Sequence, residues 1–161
     1  MARPGRKAAP ARVRLEVANL TRGRLPRRSL LRRAAQMALA GFGGGRALLT
    51  TLTCVGARTM IGLNARFHGR SELTDVLAFP LGETDEESRR LVPGEVVICR
   101  PVAVREARLR GLSAEGELLL YAVHGWLHLA GWRDRSRVQR RRMARAESRI
   151  LARLGFRRDR P

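Results

Sequence analysis

Residues 113–134 read SAEGELLLYAVHGWLHLAGWRD, and this stretch decides what the rest of the chain has to pack against. Ser113 with Glu117 offers an N-terminal cap, and the apolar run Leu118 to Val123 leads on without a breaker, so the segment reads as one long helix. His124 and His128 stand four residues apart, a single helical step, which puts both imidazoles on one face. Gly131 suits a left-handed stop, and Asp134 follows closely enough for the chain to fold back onto the two rings. Two imidazole nitrogens and one carboxylate oxygen make a three-ligand site with a vacant position, the feature that separates a catalytic zinc from a closed structural one. A lone histidine on a helix is more often a solvated or core residue. Here two of the three histidines in 161 residues share one helix face, with a glycine turn and an acid after them.

Working outward, Pro101 to Arg110 reads as a helix ended by Gly111, and Ser136 to about Leu154 as a final helix. That last helix is expected to turn Val138, Met143, Ile150, Leu151 and Leu154 inward. Its other face carries a run of arginines that includes Arg137, Arg141, Arg142, Arg145 and Arg149. Such a face is either solvated surface or a seat for a phosphate backbone. Nearer the N-terminus, Arg12 to Ala18 alternates Val13, Leu15 and Val17 with charged residues, the pattern of a half-buried strand. A helix is expected from Pro26 to Phe42, with Pro26 at its first position, then a strand near Ala47 to Val55 and a short helix near Thr59 to Phe67. Asp75 to Pro80 and Glu95 to Cys99 read as two more strands, joined by an acidic loop from Gly82 to Pro93. The elements make an α/β (α+β) chain: residues 1–11 a basic disordered tail, 12–155 one domain, 156–161 a second basic tail.

Thirty-three basic residues against 14 acidic ones leave a net charge of +19 and a sequence pI near 11.9. Lys7 is the single lysine, so arginine carries almost all of the excess. Guanidinium forks match phosphate geometry, which makes nucleic acid the expected partner and an anionic membrane surface the weaker one. No apolar run is long enough to span a bilayer. Cys54 and Cys99 each lie in an apolar, strand-like segment and read as buried thiols, in keeping with a reducing cytoplasm.

The spacing HxxxHxxGxxD is also that of metzincin proteases, so a metalloprotease is the rival enzyme reading. A zincin, however, carries a general-base Glu directly after the first His, where this chain has Gly125. A metal-activated water attacks a phosphodiester without that base, and arginines offset the charge that builds on the phosphoryl oxygens. A basic surface beside a base-poor metal site therefore favours RNA or DNA over peptide. The remaining alternative is a non-catalytic RNA-binding assembly factor.

The stretch HGWLHLAGWRD resembles the HGxLHLxGYDH signature of the YbeY family, metal-dependent endoribonucleases of ribosomal RNA maturation. Leu63-Asn64 followed by Phe67, LTDVLAFP at 73–80 and GEVVICR at 94–100 appear in the order that family shows. The resemblance implies a small mixed sheet of about four strands packed with about five helices, the metal helix lying on the sheet, and a basic cleft for single-stranded RNA. It also implies action on the 3′ end of small-subunit ribosomal RNA precursors, quality control at the small ribosomal subunit, and a cytoplasmic location.

Carried over by position, His124 and His128 are the first two metal ligands. The family's third ligand is usually His; Asp134 stands there, with Arg133 in place of the preceding acid and Trp132 in place of the aromatic. Asp134 either ligates directly or supplies the missing neighbouring acid. One divalent metal is expected, zinc first, with iron or manganese suited by the harder oxygen ligand. Where the family has Arg after the aromatic, this chain has His68, with Arg70 two residues on. Those two residues and Glu95, where the family has Asp, are the candidates for catalytic roles: a phosphate contact, a proton shuttle, or help to the attacking water.

Overall fold

In the computed structural model, which describes residues 11–158, the chain runs β1 (Val13–Asn19), α1 (Arg28–Ala38), β2 (Leu48–Val55), α2 (Ala57–His68), β3 (Val76–Thr84), β4 (Leu91–Cys99), α3 (Arg100–Arg110), α4 (Ala114–Leu129) and α5 (Arg137–Arg153). The four strands form one mixed sheet in the order β1-β2-β4-β3. β1 and β4 flank β2 in parallel, which requires crossovers, and β3 returns antiparallel on β4. Register follows the hydrophobic alternation: Val13, Leu15 and Val17 pair with Leu48, Thr50 and Leu52, so their side chains share one face. That face is buried, whereas Arg14, Glu16 and Glu95 on the other are exposed.

The covered face meets α1 and α4, and α5 packs behind α4. Twelve residues of α4 are buried, so this helix is apolar around most of its girth, as a central helix must be. Trp126, fully buried, reaches from α4 to Thr50 of β2 with its indole N–H, 3.3 Å from the hydroxyl; Thr50 in turn donates to the Gly94 carbonyl at 2.9 Å. Ser113 caps α4 by accepting from the Gly116 amide at 3.0 Å. Glu117, expected to share in the cap, instead turns into the core, where Arg110 stands 3.5 Å away.

Three expectations change. α1 starts at Arg28 and ends at Ala38, because Pro26 is buried just ahead of the N-cap residue Arg27 and Gly41 to Gly45 form a separate tight turn. Val138, expected inside, is 61% exposed; Met143, Ile150, Leu151 and Leu154 are buried as read. Half of the stretch expected as an acidic loop, its two ends, is strand, with Glu83 on Val92 and Thr84 on Leu91. Pro93 is tolerated there because the ladder is irregular on both sides of it, between Leu48 and Thr51 on β2 and between Pro80 and Glu83 on β3. Residues 1–10 and 159–161 of the expected tails lie outside the described residues. Of the C-terminal segment, Phe156 packs on the core and the Arg158 side chain reaches Glu147.

Candidate metal centre

The 3.6-residue period of α4 brings the His124 and His128 rings to 4.6 Å between centroids, nearly edge to face. The helix then stops. Gly131 has φ +92°, a conformation disfavoured for residues with a Cβ, and the Trp132 amide reaches back to the Leu127 carbonyl at 3.0 Å. This turn reverses the chain and presents Asp134, whose Oδ2 lies 3.4 Å from His128 Nε2 and 3.8 Å from His124 Nε2. Arg140 of α5 pins the reversal by donating to the Asp134 and Arg135 carbonyls, at 3.3 and 2.9 Å.

Each imidazole is oriented from behind. His128 Nδ1 is 3.1 Å from the Trp132 carbonyl oxygen, which only accepts, so that nitrogen carries the hydrogen. His124 Nδ1 is 2.6 Å from Glu147 Oε1, and Arg158 Nε holds the other Glu147 oxygen at 2.6 Å. Burial disfavours the Glu147 charge, but hydrogen bonds from His124 and Arg158 outweigh it and hold the carboxyl below its ordinary range. The proton on Nδ1 of each neutral ring leaves the Nε2 lone pairs facing each other at 3.0 Å, with the Asp134 carboxylate beside them. Three acceptors without a donor repel unless a cation sits among them. Their ligand atoms all lie within 4.8 Å of one another, and the set could hold a metal ion.

Burial lowers the proton affinity of His124, but the hydrogen bond and charge of Glu147, together with Asp75 and Asp134, more than reverse this. His128 goes the other way, pushed down by burial and by the neighbouring His124, against the pull of Asp134. The two imidazoles of the cluster are thus shifted in opposite directions by their surroundings.

A cavity of about 640 Å³ opens over the cluster, walled by Asp75 and Val76 at the start of β3, by Trp132, and by Arg133 and Arg135. Asp75 braces that strand start, accepting from the Val76 amide at 2.8 Å and the Thr74 hydroxyl at 3.2 Å. His68, at the end of α2, lines the same cavity and stacks on Phe79 with centroids 6.2 Å apart. Arg70 is exposed and is not among the residues lining it. Glu95 also lies apart: Val96 next to it faces α4, so strand alternation turns Glu95 to the open side of the sheet. Sequence reasoning missed Glu147. The signal was present, since an acid at 147 falls on the same helix face as Met143, Ile150 and Leu151, within an otherwise arginine-rich helix.

Gly125 acts in packing. A Cβ there would lie 2.5 Å from Val96 Cγ1 and 3.3 Å from Val76 Cγ2, so the position where a zincin carries its general base is closed by the sheet.

The family model described as endoribonuclease YbeY matches residues 26–155 of this chain. Similar proteins named endoribonuclease YbeY include that of Pelotomaculum thermopropionicum, 38% identical over 133 residues, covering 79% of this chain and 86% of the relative. One from an Anaeromyxobacter species is 40% identical, with 84% and 68% covered, and one from Bordetella pertussis is 39% identical, with 83% and 85% covered. A solution structure of a Thermotoga maritima protein shares the fold at a TM-score of 0.57 and 24% identity, covering 88% of this chain and 92% of that one. The matched span contains the whole sheet-facing helix layer together with His124, His128, Asp134 and Glu147, and on these grounds the chain belongs to the endoribonuclease YbeY family.

Proposed function

We propose that this chain is a metal-dependent hydrolase that cuts single-stranded RNA and acts on ribosomal RNA precursors, at the 3′ end of small-subunit RNA and in quality control of the small ribosomal subunit. The observation that carries the reading is the all-acceptor cluster of His124, His128 and Asp134 in a member of an endoribonuclease family. These three residues would hold one divalent metal, zinc first and iron or manganese as alternatives. When bound, that ion supplies Lewis-acid activation of water and neutralises charge on the phosphoryl group. The chain's own residues do the rest. Glu147 and the Trp132 carbonyl keep both imidazoles aimed at the cluster, and Arg133 and Arg135 at the cavity mouth attract and orient the phosphodiester. His68 is the best situated of the remaining candidates to meet a phosphate or pass a proton, because it shares the cavity.

Peptide hydrolysis is disfavoured by the closed space at Gly125. Among the described residues no helix is long and apolar enough to cross a membrane, which suits a cytoplasmic role at the ribosome. The test is cleavage of an unstructured RNA by purified protein reconstituted with each metal in turn. His124→Ala is expected to abolish cleavage while the thermal transition is kept; equal activity in the variant would overturn the reading. Normal ribosomal RNA processing in cells whose only copy lacks both histidines would instead support a non-catalytic assembly factor.

A further inference from the structure

A second groove, of about 610 Å³, adjoins the metal cavity at Trp132, which lines both. It is lined by Ala144 and Ser148 of α5, by Arg142, Arg145, Arg149 and Arg158, and by Trp132, which also lines the metal cavity. Among the described residues no acidic side chain lines it. Arg142, Arg145 and Arg149 are exposed and fall three and four residues apart, so they form one row along two turns of helix. Among the described residues none of the three has an ion-pair or hydrogen-bond partner, whereas Arg140 and Arg158 are engaged in holding the metal centre together. Unpaired arginines are ordinary on a solvated face. Here they line one trough together with two small residues, beside Trp132, which is 36% exposed and also lines the reaction cavity.

We propose that single-stranded RNA leaving the metal cavity crosses Trp132, stacks a base on the indole, and continues through this groove with its phosphates against Arg142, Arg145 and Arg149. The inference rests on the endoribonuclease reading for the identity of the strand. An aromatic platform followed by a basic track is how a strand is held without regard to sequence: the base supplies a ring face and the backbone a row of charges. A row spread over two helical turns follows a polymer rather than capping a single anion. This groove extends the binding surface beyond the reacting phosphate, and longer substrates gain affinity from it.

The experiment reads equilibrium binding to the full chain in the presence of chelator, so that no strand is cut. The probes are fluorescent oligouridines of roughly four and roughly twelve nucleotides. The triple variant Arg142→Gln, Arg145→Gln, Arg149→Gln is expected to bind the longer strand about tenfold more weakly at low salt. Its slope of log affinity against log salt should be shallower by about 2, the counterion release of three phosphate contacts. The gain in affinity from short to long strand should shrink in parallel. All three positions are exposed and glutamine keeps the helix, and a matching circular dichroism spectrum confirms the fold. Trp126 is fully buried, so any RNA-dependent quenching of tryptophan fluorescence reports on Trp132 and should vanish in Trp132→Phe.

Equal slopes and affinities for variant and parent would overturn the proposal, as would loss of binding to a polyglutamate probe with RNA binding intact, which would assign the groove to an acidic protein. The two readings fail separately. Arginine-dependent binding by a protein that cuts no RNA with any metal would remove the endoribonuclease reading and keep the groove. Metal-dependent cleavage with unchanged slopes would do the reverse.

Discussion

Glu147 sits at the centre of the residue-scale argument because the direction of the His124 lone pair depends on it. Its carboxylate is almost wholly buried, takes the His124 Nδ1 hydrogen on one oxygen and the Arg158 Nε–H on the other, and so selects the tautomer whose Nε2 points at Asp134. Glu147→Gln preserves the shape and removes the charge. We expect metal affinity, read by competition with a colorimetric chelator, to fall at least tenfold, within the 10–100-fold span usual for groups that orient a ligand. An unchanged affinity would mean that α4 alone aims the ring. The same residue marks how far the site could be read in advance. His124, His128 and Asp134 were legible because helix period and a glycine stop are local rules, and the structure brings all three together. Glu147 is 23 residues from its partner, and only packing of α5 on α4 joins them. Glu95 shows the opposite case: its position in a motif suggested chemistry, but the parity of β4 turns it away from the helix that bears the cluster.

At the scale of elements, the contact of α4 with the sheet is the joint on which the cluster rests. Gly125 lets the helix backbone approach Val96, which is fully buried. Gly125→Ala should therefore destabilise by about 1–3 kcal/mol through overpacking, although alanine is the better helix former. The check is a lower denaturant midpoint at constant slope; an unchanged midpoint would show that Val96 finds another rotamer without cost. The N-terminal turn of α4 carries a second liability. Burial holds the Glu117 carboxyl above its ordinary value of 4.5, outweighing Arg110 and Tyr121. A carboxyl raised on folding contributes stability that is fully present below its unfolded pKa, near 4.5, and is lost as pH rises through the folded value. Glu117→Gln removes that loss. Its melting temperature relative to the parent should rise from acid pH towards neutrality, and the opposite trend would mean that attraction to Arg110 prevails over burial. The helices were readable in the sequence because each is bounded by a cap, a proline or a glycine. The inner part of the β3–β4 hairpin was readable too, but its outer extension was not, because Gly82 and Pro93 look like breakers until a neighbouring strand supplies the irregular register that accommodates them.

Across the whole molecule, the placement of charge matters more than its sum. The net +19 predicts affinity for any polyanion, but the exposed acids Glu83, Glu86 and Glu87 gather at the β3–β4 turn. β3 is nine residues long, roughly 25–30 Å, and its other end begins beside Asp75 at the metal cavity. The exposed acids are thus gathered at one end of this strand, where Arg46, Arg89 and Arg90 also stand, and Arg133, Arg135 and the α5 arginines lie around the other, beside Asp75 and Asp134. At physiological ionic strength the screening length is about 8 Å, so the acidic tip is too distant to repel a strand lying at the cavity. Neutralising the tip with Glu86→Gln and Glu87→Gln should leave RNA affinity within about twofold, since those charges are screened. Arg133→Gln with Arg135→Gln changes the net charge by the same amount in the other sense. It should weaken binding several-fold and flatten the salt slope by about 1.4, the release expected from two lost phosphate contacts on a single strand. Opposite shifts of equal size from the two pairs would mean that total charge alone draws RNA to this protein. A response confined to the arginine pair would mean that the chain folds its excess of arginine into an entrance to the metal centre.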